Sequence, residues 1–476
     1  MEDRTKFDFE HNIAEALDDD QLRRNLRNAM DILVDKRRTV FPDADYLERL
    51  RATGNAIKRR ALCQLPELLE RLEDKCTRNG IKVHWAEDSA AANDIMLEIL
   101  RRHEAPDIVK GKSMVSEEMH LNRFLERQGI EAVETDLGEF IIQLNHETPS
   151  HIIVPAIHKN KDEVATIFHD KIPDTPYTED VEALTDIARR VLRKRFARAK
   201  VGLSGVNLAI AETGTLLLVE NEGNGRMCTT APDVHVAVMG LEKVVEKLSD
   251  VPPLLRLLTG SATGQMITTY VNMITSPRKP GEKDGPKEVH LVILDNGRSQ
   301  ILADPELRQT LLCIRCGTCL NHCPVYVRIG GHAYGHVYPG PIGKILTPQM
   351  EGLHKAGVLV TASSLCGACG EVCPVKIPIP DLIRRLRNES YDQEESAVVA
   401  GGGYKKNLAE TMVWKGWELV NRSPLLNEMG TRMAGKMGKR LPKVGPLKKW
   451  TGVRTAPRVT RHTLHERVRE EGVKNE

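Results

Sequence analysis

Apolar residues recur at helical spacing through the first eighty positions, then give way to short apolar runs separated by amphipathic stretches. Leu22, Leu26, Ala29, Met30 and Leu33 share one face of a helix that the Asp18, Asp19, Asp20 run would open. Leu65, Leu68, Leu69, Leu72 and Cys76 repeat the spacing until Gly80 ends it, so Cys76 and Cys63 read as small buried hydrophobes. From Ile81 the pattern predicts a strand over 81–85, a helix over 90–102, a strand over 107–110, a helix over 116–128 and a strand over 130–133. Further strands are expected over 206–210, 215–219, 234–238 and 289–294. Strand and helix in alternation imply βαβ units and a mainly parallel sheet with helices on both faces.

Beyond residue 300 the periodicity fades and cysteine takes over. Seven of the ten cysteines lie in two runs, Cys313, Cys316, Cys319, Cys323, Pro324 and Cys366, Cys369, Cys373, Pro374. The first reads C-x2-C-x2-C-x3-C-P, the spacing by which bacterial ferredoxins wrap a cubane [4Fe-4S] cluster, with the fourth cysteine serving the other cluster of a pair. On that rule one cluster takes Cys313, Cys316, Cys319 and Cys373, and a second takes Cys323, Cys366 and Cys369. The second is one thiolate short, because Ser363, followed by Ser364, stands where a cysteine would complete it. A non-cysteine ligand such as a hydroxyl, water or a residue from elsewhere, with Cys228 a distant candidate, and a three-iron centre all remain open. Paired C-x2-C motifs also build zinc sites, but four cysteines closing on Cys-Pro suit a cube better than a zinc ribbon. A disulfide framework is not expected of a long chain without a signal peptide.

At 476 residues the chain should form two or three domains, and no apolar run reaches the ~18 residues that span a bilayer. A soluble, cytoplasmic protein is expected. The net charge of +2 does not suggest a nucleic-acid binder. Charge is uneven, however: from Thr431 to the end, thirteen Lys and Arg oppose four Asp and Glu. Such a basic tail is ordinarily a solvated end, with an acidic partner, nucleic acid or a peripheral membrane contact as the alternatives. Helical segments are expected beyond residue 388, broken at Gly401 to Gly403 and by Pro424, Pro442 and Pro446.

Two other polar groups draw notice. Glu212-Thr213-Gly214-Thr215 and Glu222-Gly223-Asn224-Gly225-Arg226 could let backbone approach an anionic ligand, though a hairpin with turn glycines is the simpler reading. His146, Glu147, Ser150, His151 and His158 could bind metal or move protons, but they show no ligand spacing such as H-E-x-x-H, which favours turn and surface roles. Neither G-x-G-x-x-G after a strand nor G-x-x-x-x-G-K-[ST] occurs, so no nicotinamide or nucleoside-triphosphate motif is visible.

The stretches KGKSMVSEEMHLNRFLERQGIEAVETDLGEFIIQL from Lys110, HETPSHIIVPAIHK from His146, SGVNLAIAETGTLLLVENEGNGR from Ser204 and LVILDNGRS from Leu291 have a definite resemblance. Together with the cysteine motifs and SSLCGACGEVCPVKIPI from Ser363, they make the chain similar over nearly its full length to the LutB/YkgF family, the iron–sulfur subunit of a bacterial L-lactate utilisation system. The resemblance implies an α/β LUD domain related to CoA-transferase and sugar-isomerase folds, and two [4Fe-4S] clusters held by the seven cysteines. It further implies an electron carrier in the oxidation of L-lactate to pyruvate. Two partners come with it: a cysteine-rich subunit like heterodisulfide reductase and a small LUD-domain protein. The family pattern itself lacks the eighth cysteine, and it names no catalytic residue.

The resulting map is a helical N-terminal region over 1–60, the LUD domain over 61–300, an α-helical dicluster ferredoxin-like domain over 301–387 and a helical basic tail over 388–476. The competing expectation makes the LUD domain itself a site for lactate, pyruvate or an acyl-CoA, with 212–215 and 223–226 at its pocket. A redox-sensing DNA regulator is disfavoured because no reading head is evident.

Overall fold

The computed structural model describes residues 8–390, 408–437 and 462–472. They divide into two compact units, residues 1–404 and 405–476.

Four helices open the first unit: Phe9–Asp18, Asp20–Val40, Ala44–Cys63 and Leu65–Arg78. Aspartates just before the first three, Asp8, Asp19 and Asp43, accept from the free backbone N–H groups of His11, Leu22 and Tyr46. Leu26 and Met30 are buried as the spacing required. Cys76 is buried too, and burial pushes its thiol up to about 12. Cys63 is exposed, correcting the sequence expectation. The third helix buries Ile57, Lys58, Ala61 and Leu62, and one further residue turns about 100° off that face.

Ten strands follow: β1 (Ile81–Ala86), β2 (Asp107–Lys110), β3 (Glu131–Glu134), β4 (Val201–Gly205), β5 (Leu208–Ile210), β6 (Thr215–Glu220), β7 (Val234–Gly240), β8 (Val244–Val245), β9 (Tyr270–Ile274) and β10 (Glu288–Leu294). Six form an all-parallel sheet in the order β1-β10-β7-β4-β2-β3, and four form a smaller sheet, β8-β5-β6-β9, with antiparallel β5–β6 and β6–β9 pairs. In the large sheet alternate residues feed two cores. Ala237, Met239, Val289, Leu291 and Ile293 face one, while Val234, Val236, Val238, Val292 and Leu294 face the other. Burial on both faces explains why β7 and β10 read as nearly continuous apolar runs.

Two expectations need correction, and one strand carried no signal. The run 206–210 is not one strand: β4 ends at Gly205, and the chain passes through Val206 and Asn207 into β5 of the other sheet. β4 itself escaped notice because Gly202 and Gly205 dilute its apolar pattern. A Cβ on Gly202 would lie 2.0 Å from the carbonyl oxygen of Cys228, so the neighbouring segment requires glycine there. The helix expected over 116–128 is broken at His120, whose φ is +51°, into Met114–Glu118 and Leu121–Arg127.

From Asp304 the chain becomes short helices and turns around buried Tyr326, Tyr334 and Tyr338, braced by helices Gly340–Glu351 and Ile379–Glu389. The N-terminal helices grip this segment by its backbone. Arg51 Nε donates to the Cys373 carbonyl at 2.9 Å, Asn55 Nδ2 to that of Val375 at 2.7 Å, and Arg37 Nη2 to that of Val372 at 3.3 Å.

The second unit holds helices Leu408–Arg422, Pro424–Met437 and Leu464–Glu471. Pro424 begins a helix, as a break there predicts. Gly401 to Gly403, Pro442, Pro446 and most of the basic stretch after Thr431 lie outside the described residues. Among the described residues no helix is long and apolar enough to cross a membrane.

Candidate metal centre

The two cysteine runs fold as copies of one loop placed fifty residues apart. Arg315 and Gly317, flanking Cys316, have φ of +60° and +73°; Leu365 and Gly367, flanking Cys366, have φ of +55° and +87°. Left-handed backbone on both sides of a central cysteine turns successive side chains inward, and glycine takes the second position without steric cost. A short helix follows each loop, Thr318–Asn321 and Ala368–Glu371, and then Cys323-Pro324 or Cys373-Pro374.

Side chains from the copies cross over. One small cavity is lined by Cys313, Cys316, Cys319 and Cys373, and another by Cys323, Cys366 and Cys369 with Ser363 and Ser364. Thiolates gathered in this way suit iron–sulfur chemistry. Burial pushes Cys369 and Cys373 up to about 11, so binding a metal would release their protons. Backbone and side-chain donors already point at several sulfurs: Arg315 N–H at Cys313 Sγ (3.4 Å), Ile377 N–H at Cys373 Sγ (3.3 Å) and the buried Lys344 Nζ at Cys323 Sγ (3.6 Å). In the second loop Leu365 N–H donates to Ser363 Oγ at 3.2 Å, matching the bond from Arg315 to Cys313. Ser363 therefore occupies the position of Cys313. Cys228 does not approach either cavity: its buried thiol lies 3.4 Å from Thr135 Oγ1 beneath the large sheet, which removes it as a fourth ligand.

A buried ion network joins the first loop to the α/β part. Arg298 donates through Nη1 and Nη2 to Glu118 (2.8 and 2.7 Å) and through Nε to Glu242 (2.7 Å). Arg315 Nη2 reaches Glu242 at 3.1 Å, and its guanidinium lies 4.5 Å from the Tyr338 ring centre. Tyr338 Oη and Asn296 Nδ2 also donate to Glu118. Burial alone would raise both carboxyls, but Arg298, together with Tyr338 and Asn296 at Glu118 and together with Arg315 and Lys243 at Glu242, holds them below the usual carboxylate range. Lys58 Nζ donates to the Glu242 carbonyl oxygen, and burial draws Lys58 and Lys243 down to about 8. Four buried cations thus face two carboxylates beside Cys313.

The histidine-rich segment is structural. His151 is buried against the first loop, and its Nδ1 accepts from Ile153 N–H and Val154 N–H. Its proton therefore sits on Nε2 and is donated to Asn321 Oδ1 at 3.0 Å. Burial lowers this imidazole to about 4. Ser150 Oγ accepts from Gly331 N–H, while Glu147 bridges His158 and Lys159. His146 turns the chain with φ +56°. The segment seats the α/β part on the cysteine loops.

A cavity of about 470 Å³ opens at the carboxyl ends of β2, β3, β4 and β7. Asn224 and Gly225 line it, as does Arg315 from the first cysteine loop. Glu212 to Thr215 do not; they form the β5–β6 turn, where Glu212 Oε2 accepts from Leu248 N–H and Gly214 packs on Lys75 and Cys76. The expectation that they flank a pocket is corrected. Lys243, Arg298 and Glu242 carry no motif of their own, and no spacing in the sequence marks them.

An α/β domain joined to paired cysteine loops defines a class, a LUD domain fused to a dicluster ferredoxin domain. Residues 69–294 match the LUD domain family, 309–377 the 4Fe-4S dicluster domain and 385–473 the C-terminal domain of lactate utilisation protein B. The chain is 40% identical to lactate utilization protein B of Bacillus velezensis over 94% of both chains, and 39% identical to that of Bacillus subtilis over 94% of this chain and 93% of the relative. It is also 40% identical, over 94% of both chains, to an Escherichia coli electron transport protein, YkgF. The chain belongs to the lactate utilization protein B family. A crystal structure of a DUF162 family protein from Deinococcus radiodurans covers 48% of this chain and 98% of its own at 14% identity, with a TM-score of 0.28, too distant to bear on the argument.

Proposed function

We propose that this protein carries electrons one at a time within a multi-protein system that oxidises L-lactate to pyruvate. The observation behind the reading is the crossover of the cysteine loops, which sorts seven thiols into a set of four and a set of three. Cys313, Cys316, Cys319 and Cys373 would hold one [4Fe-4S] cluster. Cys323, Cys366 and Cys369 would hold a second, with Ser363 Oγ at the remaining corner. Such clusters, when bound, supply one-electron transfer at potentials set by charge and hydrogen bonds to their sulfurs. This chain contributes those hydrogen bonds through Arg315 N–H, Ile377 N–H and Lys344 Nζ, and its N-terminal helices hold the loops.

Removing two electrons from a hydroxy acid normally needs a hydride acceptor, which fits work alongside a heterodisulfide-reductase-like cysteine-rich subunit and a small LUD-domain protein. The names of the relatives, drawn from lactate utilisation and electron transport, agree with this assignment. Anaerobically purified protein should contain about eight irons and show reduced-cluster electron paramagnetic resonance signals after dithionite. Zinc in place of iron would overturn the reading.

A further inference from the structure

We propose that the cavity at the carboxyl ends of the large sheet binds a small organic carboxylate, received by Lys243 and Arg315 next to the Cys313 loop. Three observations carry this. First, the cavity lies where the crossovers diverge. β2 leads outward to β3, while the next strand of the large sheet after β4 is β7, on the opposite side. In open α/β sheets the crevice beyond such diverging strands is where ligands lodge. Gly111 to Val115, after β2, and Gly205 to Asn207, after β4, form its walls, and about 470 Å³ falls in the range of small-molecule sites.

Second, two cations at its edge have unused donors. Arg315 Nη1 is buried without a hydrogen-bond partner. Lys243 is 7% exposed, and its ammonium has no hydrogen-bond partner among the described residues. The third observation is that the acidic groups lining the cavity are already engaged. Glu220 accepts from Gly225 N–H and Arg226 N–H, Asp136 from Gly138 N–H and Glu139 N–H, and Glu222 from Leu137 N–H. Two cationic donors, Arg315 Nη1 and the Lys243 ammonium, therefore stand unpartnered at the cavity among the described residues, while Ile152, Val154, Val206 and Leu258 supply an apolar wall. A carboxylate with a short carbon body matches both features. Arg315 lies between Cys313 and Cys316 and lines the first cysteine cavity as well, so an anion held by its guanidinium is one residue from the metal centre.

The choice of 2-oxo and 2-hydroxy acids as probes rests on the lactate-oxidation reading; the site itself does not. The test is isothermal titration of the anaerobic holoprotein with pyruvate and L-lactate, with inorganic phosphate and acetyl-CoA as separate arms. Iron content and the electron paramagnetic resonance spectrum of the reduced protein are recorded with and without ligand. Saturable binding of either acid is expected, weakened about tenfold or more in Lys243→Met, largely retained in Lys243→Arg, and accompanied by a change in one cluster signal. Ala156→Met, which narrows the cavity without touching charge, should weaken binding too, and it serves if Lys243→Met fails to fold.

Several results would overturn the proposal. These are no saturable heat with either acid, binding of phosphate or acetyl-CoA alone, or acid binding unchanged in the folded variants. A Lys243→Met protein with altered cluster signals but unaltered acid binding would show that the cation serves only the metal centre. Iron-free protein would instead defeat the electron-carrier reading, so the two failures are told apart.

Discussion

Replacing Arg298 by methionine removes the central cation of the network that ties the first cysteine loop to the α/β part. Arg298 makes three hydrogen bonds to Glu118 and Glu242, and each carboxylate side chain is only 1% exposed. Breaking a buried ion pair from one side costs about 3–5 kcal/mol, because the remaining charge is left uncompensated. Glu242 keeps Arg315, so Glu118, left with the neutral donors Tyr338 and Asn296, bears most of the loss. At about 2–4 °C per kcal/mol for a domain of moderate size, the melting temperature of the anaerobic protein should fall by roughly 6–20 °C at pH 7.5.

The sign of the pH effect follows. Without Arg298, burial raises Glu118 above its unfolded value, so the carboxyl takes up a proton more readily when folded. The deficit should therefore narrow as pH falls toward 5.5. The double variant Arg298→Met, Glu118→Gln should recover much of the loss. Differential scanning calorimetry of iron-replete samples checks both points. A shift under about 2 °C, or a double variant no better than the single, would refute the account.

Other expectations concern the cysteine loops and the core. Lys344→Met removes a cation hydrogen-bonded to Cys323 Sγ, and should lower the midpoint potential of the centre at Cys323, Cys366 and Cys369 by about 30–100 mV in a dithionite titration; an unmoved potential would count against that contact. Ser363→Ala should convert the same centre to a three-iron form, whereas Ser363→Cys should keep four irons, read by iron analysis and electron paramagnetic resonance. Wild-type spectra in the alanine variant would exclude Ser363 as a ligand. Burial lowers His235 to about 3 and His151 to about 4, both below the unfolded ~6.5, so their stability is complete above pH ~6.5 and declines as pH falls. Each contributes about 1.4 kcal/mol per pH unit inside that window. The melting temperature should therefore drop between pH 7.5 and 5.5, and drop less in His235→Gln; equal drops would contradict the assignment.

The sequence alone determined what spacing encodes. Cys313, Cys316, Cys319 and Cys323 announce a metal site because few-residue gaps fix which thiols can reach one cluster, and β7 and β10 show as nearly continuous apolar runs because they are buried on both faces. β4 was hidden because its Gly202 answers a neighbouring carbonyl and not its own strand. Only the tertiary structure decided which charges meet. Glu118, Glu242, Arg298 and Arg315 lie far apart along the chain, and nothing local forces their pairing. Spacing had already put Ser363 where a cysteine would complete the second set, and the structure added the matching backbone and hydrogen bond; Lys243, by contrast, became a candidate ligand group only once folding had placed it at the cavity with its donors unused. Short-range geometry is written in residue order; electrostatic partnership between distant segments is set by how the layers pack, because Coulombic strength depends on distance and burial.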